Sequence, residues 1–435
     1  MDSILSPFFQ SLEHDSVLRW EGKVTQVLGQ LIESAGPICS VGECCEIIDS
    51  GQQVFPGEIV GFRGPIVLSM ALNRPAGIRY GDRIVTWGSR PVLRVSPDLL
   101  GRVIDGAGKP LDALPPPRAR EHQPLDTNAP LPLNRVPIRD AIGTGVRAVD
   151  AFITCGRGQR LGIFGGSGVG KSTLLGMMAR NTNADLTVLA LIGERGREVR
   201  QFLEESLGEE GRKRAVVVVS TSDQSPLLRI RAALAATAVA EYFSHRGKDV
   251  LLVVDSITRL AMAQREIGLA AGEPPTAKGY TPSVFTLLAR LIERAGRFET
   301  GSITAFYTVL MEGDDQQDPL VDGVRALLDG HIVLDRTLAS RSHYPPISIL
   351  DSISRLMPAV CSPEHLARAE SFRRLLAVYA RAEDLIRIGA YQPGTDPILD
   401  RAVEFLPKVT QFVQQRPADR ARLSDVIAQL LALPG

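Results

Sequence analysis

Apolar residues along this chain fall into three successive patterns. Between Leu18 and about Val95 they form short β-type runs, such as Lys23-Val-Thr-Gln-Val-Leu28 and Glu58-Ile-Val-Gly-Phe62, set between glycines. Runs this short and this closely spaced predict a small closed or nearly closed β-barrel. From about Val136 to Ala359 the runs become continuous: Leu186-Thr-Val-Leu-Ala-Leu-Ile192, Ala215-Val-Val-Val-Val219, Val250-Leu-Leu-Val-Val254 and Ser302-Ile-Thr-Ala-Phe-Tyr307, alternating with helical segments. Unbroken Val/Leu/Ile strands are buried on both faces, so this block predicts an α/β fold with a parallel sheet between helical layers. After Cys361, Ser362-Pro363-Glu364 supplies a helix cap with proline in the first turn, and Leu366, Phe372, Leu376 and Tyr379 mark one helix face. This predicts a C-terminal helical domain. Between barrel and sheet, Pro115 to Pro117, Pro124, Pro130, Pro132 and Pro137 deny ladder hydrogen bonds and predict an extended surface connector. The expected division is a leading segment 1–17, barrel 18–95, connector 96–135, α/β domain 136–359 and helical domain 360–435.

Composition narrows the class. At roughly 150 residues per domain, 435 residues suggest about three domains, matching the three patterns. The 49 basic residues balance 49 acidic ones, so no global field recruits nucleic acid or an anionic membrane. Cys39, Cys44, Cys45, Cys155 and Cys361 lack the paired spacing of a zinc site and read as reduced, cytosolic thiols. The first residues carry no basic leader, and no apolar run approaches the roughly 20 residues a bilayer requires. A cytoplasmic protein is expected, with any membrane contact made through partners.

The chemistry enters at residues 165 to 172, Gly-Gly-Ser-Gly-Val-Gly-Lys-Ser, between the apolar strand Arg160-Leu-Gly-Ile-Phe164 and a helical run from Thr173 to Arg180. Glycines at this spacing let successive N–H groups face phosphate oxygens while the following helix directs its positive end at the same anion. Gly165, Gly166, Ser167, Gly168, Val169, Gly170, Lys171, Ser172 and Thr173 are therefore the expected nucleotide-binding set. Lys171 would reach the β- and γ-phosphates of ATP, and the Ser172 hydroxyl would ligate Mg²⁺. Asp255 ends the strand Val250-Leu-Leu-Val-Val254 at the edge where that metal should sit, and is assigned to its shell, through a water molecule. Glu194 ends another strand and is placed to orient the water that attacks the γ-phosphate.

With these residues in view, the chain resembles the export ATPases of flagellar and other type III secretion systems, relatives of rotary ATP synthase catalytic subunits. The likeness spans nearly the whole length. It rests on Gly101-Arg-Val-Ile-Asp-Gly-Ala-Gly-Lys-Pro110, Thr144-Gly-Val-Arg-Ala-Val-Asp150, Gly158-Gln-Arg160, the phosphate loop, and Gly193-Glu-Arg-Gly-Arg-Glu198. It continues through Asp255-Ser-Ile-Thr-Arg259, Gly301-Ser-Ile-Thr-Ala-Phe-Tyr-Thr-Val-Leu310 and Tyr344-Pro-Pro-Ile-Ser-Ile-Leu-Asp-Ser-Ile-Ser-Arg355. The resemblance implies an N-terminal barrel, a RecA-like ATPase core and a C-terminal helical domain, assembled as a homohexameric ring. It also places Arg195 on the γ-phosphate side, Arg355 at the neighbouring subunit's nucleotide, and Tyr344 on the adenine, with Tyr391 a second aromatic candidate. With Glu194 and Arg355 both present, one chain can build every site of a homomeric ring. Ala390-Tyr-Gln-Pro-Gly-Thr-Asp-Pro397 and Ser354-Arg-Leu-Met-Pro358 lean towards the flagellar branch.

Partners follow from the same resemblance. Leu5, Phe8, Phe9 and Leu12 share one helical face, expected either to pack on the barrel or to dock a stator-like regulatory protein. The irregular loop Ala271-Gly-Glu-Pro-Pro-Thr-Ala-Lys-Gly-Tyr280 is either an ordinary surface loop or the contact for a coiled-coil stalk protein in the ring's central hole. An export-gate membrane protein, export substrates and their chaperones complete the implied set, with the ATPase held peripherally at the inner membrane. The alternatives are a nucleotide-binding subunit of a rotary complex and a hexameric RNA translocase. Residues 1 to 95 hold eight Lys/Arg against ten Asp/Glu, which points away from nucleic acid.

Overall fold

The computed structural model describes residues 18–311 and 318–434. The apolar face Leu5, Phe8, Phe9 and Leu12 lies outside the described residues. Six antiparallel strands, Trp20–Leu28, Leu31–Ala35, Cys44–Ile48, Val54–Arg63, Ile66–Ala71 and Arg83–Thr86, close into a barrel. Closure comes from pairing the first strand with the last, Trp20 opposite Thr86 and Lys23 opposite Arg83. The inward positions Val24, Ile32, Ile47, Ile59 and Ile84 form its core.

Closure at Thr86 leaves Val92–Val95 outside the barrel, where it pairs antiparallel with Glu121–Pro124. The connector is therefore more ordered than its prolines suggest. Its segment Val103–Asp105 joins the main sheet, parallel to Ala215–Thr221. An edge strand bonds on one side only, so three residues suffice before the chain turns away.

The main sheet runs, edge to edge, through Ile347–Ser354, Gly330–Leu334, Arg160–Gly165, Ser302–Leu310, Asp249–Asp255, Leu186–Glu194, Ala215–Thr221 and Val103–Asp105. Every pair in this path is parallel except the first, where Ile347–Ser354 runs antiparallel to Gly330–Leu334. Alternate residues of a central strand enter different cores: Val188, Ala190 and Ile192 join one cluster, Leu189 and Leu191 the other. Both faces are thus buried, which is why these runs lack polar alternation.

The second cluster also receives the C-terminal helices Pro363–Arg387, Pro397–Val413 and Leu423–Ala432. Phe372 stacks on Phe405 with centroids 4.2 Å apart, and Phe412 meets Phe152 of the core edge-on at 6.5 Å. The predicted cap is present, with Ser362 Oγ accepting the His365 N–H. On the other side, the Arg231 guanidinium pairs with Glu58 at 2.9 Å and Ser225 Oγ donates to the Leu72 carbonyl at 2.6 Å, tying the barrel to the core.

Candidate active site

Parallel register gathers the site at one edge of the sheet. Gly165 is level with Leu310, Val254 with Tyr307, and Leu191 with Asp255, so the phosphate loop, Asp255 and Glu194 all emerge together. Within the loop, Gly168 and Gly170 hold φ of +80° and +98°, left-handed values that disfavour a side chain. Gly170 caps the helix Lys171–Asn181 with no side-chain bond to its first turn, which leaves those N–H groups for an anion.

Lys171 Nζ donates to Asp255 Oδ1 at 2.5 Å. Thr308 Oγ1, from the neighbouring strand, donates to the same oxygen at 2.6 Å, fixing the rotation of a carboxylate whose side chain is 4% exposed. Ser172, one residue on from Lys171, is exposed. A hydroxyl and a carboxylate make a hard-oxygen pair that suits Mg²⁺, which takes few protein ligands and completes its shell with water and phosphate.

Glu194 closes its strand, its carbonyl accepting the Ser222 N–H at 3.1 Å. Burial pushes its carboxyl up to about 7, helped by the nearby Asp255 charge and opposed by Lys171. A hydrogen bond between the two side chains of Glu194 and Glu198 pushes Glu194 up further and holds the Glu198 carboxyl low. Ionised Glu194 is the form able to accept a proton from water. In the free enzyme kcat/KM is therefore expected to rise with pH as Glu194 ionises near 7. A pH–rate profile checks this, and persistence of the same limb in Glu194→Gln would assign it to another group.

The remaining expected residues are placed as follows. Arg195 begins the helix Gly196–Gln201, its side chain 76% exposed and paired with Glu198 at 3.3 Å rather than with Asp255. Tyr344 stands beside the phosphate loop: a Cβ on Gly170 would lie 3.8 Å from its ring. The ring borders a cavity of about 730 Å³ lined also by Thr173, Gln414 and Arg416, large enough for a nucleotide base and ribose. Tyr391 does not line it; its hydroxyl donates to Asp400.

Arg355 is exposed and lies at the opposite edge of the sheet. Its N–H donates to the Asp329 carbonyl at 3.0 Å, and the Asp329 carboxylate holds Arg160, where the phosphate strand begins. The loop begins at the other end of that strand, five residue steps or roughly 16 Å away. The structure thus separates Arg355 from Lys171 of its own chain.

Three contributors escaped the sequence reading. Thr308 is the polar residue late in an apolar strand, beside Asp255. Arg259 packs on Gly193, whose Cβ would lie 2.9 Å from the arginine's own, and its buried Nε has no partner among the described residues. The wall Gln411 to Asp419, from the C-terminal domain, closes the cavity and carries no motif.

A phosphate loop, a buried strand-end aspartate and a strand-end glutamate at the edge of this sheet, flanked by barrel and helical domains, define a RecA-like nucleotide-hydrolysing enzyme. Residues 145–354 match the nucleotide-binding domain of the ATP synthase alpha/beta family, and 361–432 match the type III secretion system EscN ATPase C-terminal domain. The flagellum-specific ATP synthase of Bacillus subtilis is 51% identical over 97% of this chain and 96% of its own length. That of Salmonella typhimurium is 50% identical over 95% and 93%, and the type 3 secretion system ATPase of Xanthomonas euvesicatoria 46% over 96% and 94%. Among solved structures, the assembled ATPase EscN of enteropathogenic E. coli superposes with a TM-score of 0.90 at 43% identity, covering 95% of this chain and 99% of that one. EscN in complex with its central stalk EscO gives 0.87. The chain belongs to the family of flagellar and type III secretion ATPases.

Proposed function

We propose that the chain is a Mg²⁺-dependent ATP hydrolase that works as a homohexameric ring and energises protein export through a flagellar or other type III secretion apparatus. The observation that carries this reading is the split of the site: Lys171, Asp255 and Glu194 converge at one sheet edge, while Arg355 stands exposed at the other. ATP enters with its phosphates on the first-turn N–H groups and Lys171, and with adenine against Tyr344. Ser172, and Asp255 through water, would hold Mg²⁺, which would supply positive charge to the β- and γ-phosphates. Glu194 orients a water in line with the γ-phosphorus and accepts its proton as the new P–O bond forms and the bond to the β-phosphate oxygen breaks, giving ADP and inorganic phosphate. Arg259 and a reoriented Arg195 supply further charge at the γ-phosphate. Arg355 reaches the neighbouring copy's site and stabilises charge there.

The fit to EscN in complex with its central stalk supports a stalk partner for this chain also. The loop Ala271 to Tyr280 is its proposed contact, with Lys278 held at φ +52° and its ammonium 2.9 Å from Asp318. The leading segment 1–17 is assigned to a stator-like regulator, and the assembled ring to export substrates, chaperones and a gate protein at the inner membrane. Among the described residues no helix is long and apolar enough to cross a membrane. Tethering at the inner membrane is assigned to those partners.

Purified chain with ATP and Mg²⁺ should release phosphate at a rate that added RNA leaves unchanged and EDTA abolishes. A chain that releases no phosphate at any protein concentration would instead fit a non-catalytic nucleotide-binding subunit, and stimulation by RNA would fit a translocase.

A further inference from the structure

On its buried side, the wall of the cavity beside the phosphate loop is attached to the core through the side chain of Gln415. Gln415 is 4% exposed and sits just beyond the helix Pro397–Val413 of the C-terminal domain. Its Oε1 accepts the Arg147 N–H at 2.9 Å, and its Nε2 donates to the Gly145 carbonyl at 2.9 Å and the Asp419 carbonyl at 3.1 Å. Its backbone N–H donates to the carbonyl of Tyr344 at 2.9 Å. The side-chain amide therefore joins the turn before the helix Arg147–Phe152 to the wall, and the residue's backbone N–H joins the wall to the aromatic loop.

The turn it grips is rigid. Asp150 accepts the Thr144 and Gly145 N–H groups and the Thr144 hydroxyl, at 2.8, 3.1 and 2.7 Å, which fixes the Gly145 peptide whose carbonyl meets Gln415. Beside this, Arg180, at the far end of the phosphate-loop helix, donates to the Pro417 carbonyl at 2.6 Å, and Arg147 to the Gln414 carbonyl at 3.0 Å. Those two guanidiniums hold the wall from its more open side, whereas Gln415 holds it from the buried side, where an unmet amide or carbonyl cannot turn to water.

We propose that Gln415 is a positioning residue for the base-binding half of the nucleotide site: it fixes the C-terminal wall and the Tyr344 loop at the spacing that grips adenine and ribose. It touches neither the phosphates nor the reacting water. The inference rests on the nucleotide site proposed above, and predicts that base affinity and phosphate affinity separate on its substitution. The position uses an acceptor and donors in one planar group, which the Gln415 amide supplies.

Gln415→Met keeps the volume and removes both functions; Gln415→Glu keeps the acceptor for Arg147 and removes the donor. Inorganic tripolyphosphate, which has no base, serves as the probe for the phosphate half, and a fluorescent ADP analogue for the whole site. Both variants are expected to bind the ADP analogue about 10-fold or more weakly and to raise KM for ATP similarly. Tripolyphosphate should inhibit them within about 2-fold of its effect on the parent chain, and kcat should fall far less than KM rises. Equal weakening towards both probes would overturn the proposal in favour of a general loss of structure, as would unchanged ADP affinity in the Glu variant. Lys171→Ala provides the independent control: it should lose tripolyphosphate, and if it does not, the nucleotide site itself has been misplaced and the failure is not that of Gln415.

Discussion

Glu194→Gln is expected to bind ATP within about threefold of the parent chain and to hydrolyse it about 10³-fold more slowly. The substitution keeps shape and leaves Lys171, Asp255 and the loop N–H groups in place, so the charges that hold the phosphates persist. What is lost is the oxygen that accepts the proton of the attacking water, a function that contributes typically 10²–10⁴ in rate. Lys171→Ala should fail differently. It removes a cation from the phosphates and strands Asp255, whose side chain is 4% exposed, without its ion-pair partner. Both affinity and turnover should fall. Titrating a fluorescent ATP analogue against each variant, beside phosphate release, separates the two; near-normal turnover by Glu194→Gln would remove it from the role assigned here.

Arg355→Ala is the second large effect: ATP affinity close to normal, with turnover down about 10³-fold, the scale at which a transition-state arginine acts. The reasoning is positional. Arg355 is bonded through its backbone to Asp329, where the strand Arg160–Gly165 begins, and its own phosphate loop opens at the other end of that strand, roughly 16 Å further on. Exposed at the sheet edge, its guanidinium is free to meet a neighbour's nucleotide. The Ala variant leaves the fold's buried ion pairs intact, since Arg355 is tied to Asp329 through its backbone N–H. In the parent chain, specific activity should climb with protein concentration as subunits assemble, and in Arg355→Ala it should stay flat.

Much of this was readable from residue order because the strongest signals were local. Continuous runs such as Val250 to Val254 can only be strands buried on both sides, and a carboxylate directly after one must appear at the edge where the phosphate loop opens. The parallel register then brings Glu194 and Asp255 to Lys171 without further information. Weaker signals failed where the partner was distant in sequence. Val103–Asp105 is too short and too close to prolines to announce itself as a sheet edge, and its pairing with Ala215–Thr221 exists only in the folded chain. The cavity beside the phosphate loop likewise adds to Gly170 and Tyr344 a residue without a motif, Gln414, from the C-terminal domain that packs on the core through Phe412 and Phe152. Arg195 shows a different limit: the motif places its backbone beside Glu194, while its side chain follows the nearer carboxylate of Glu198.

The claim that each active site draws on two copies of the chain is tested most directly by mixing two inactive variants. Lys171→Ala retains Arg355, and Arg355→Ala retains Lys171. In a mixed assembly some interfaces pair an intact Lys171 with an intact Arg355 from the adjoining copy. Phosphate release should then reappear in the mixture, at a fraction of the parent rate set by the share of such interfaces, while each variant alone stays inactive. A mixture shown to co-assemble yet no more active than its components would contradict the shared site.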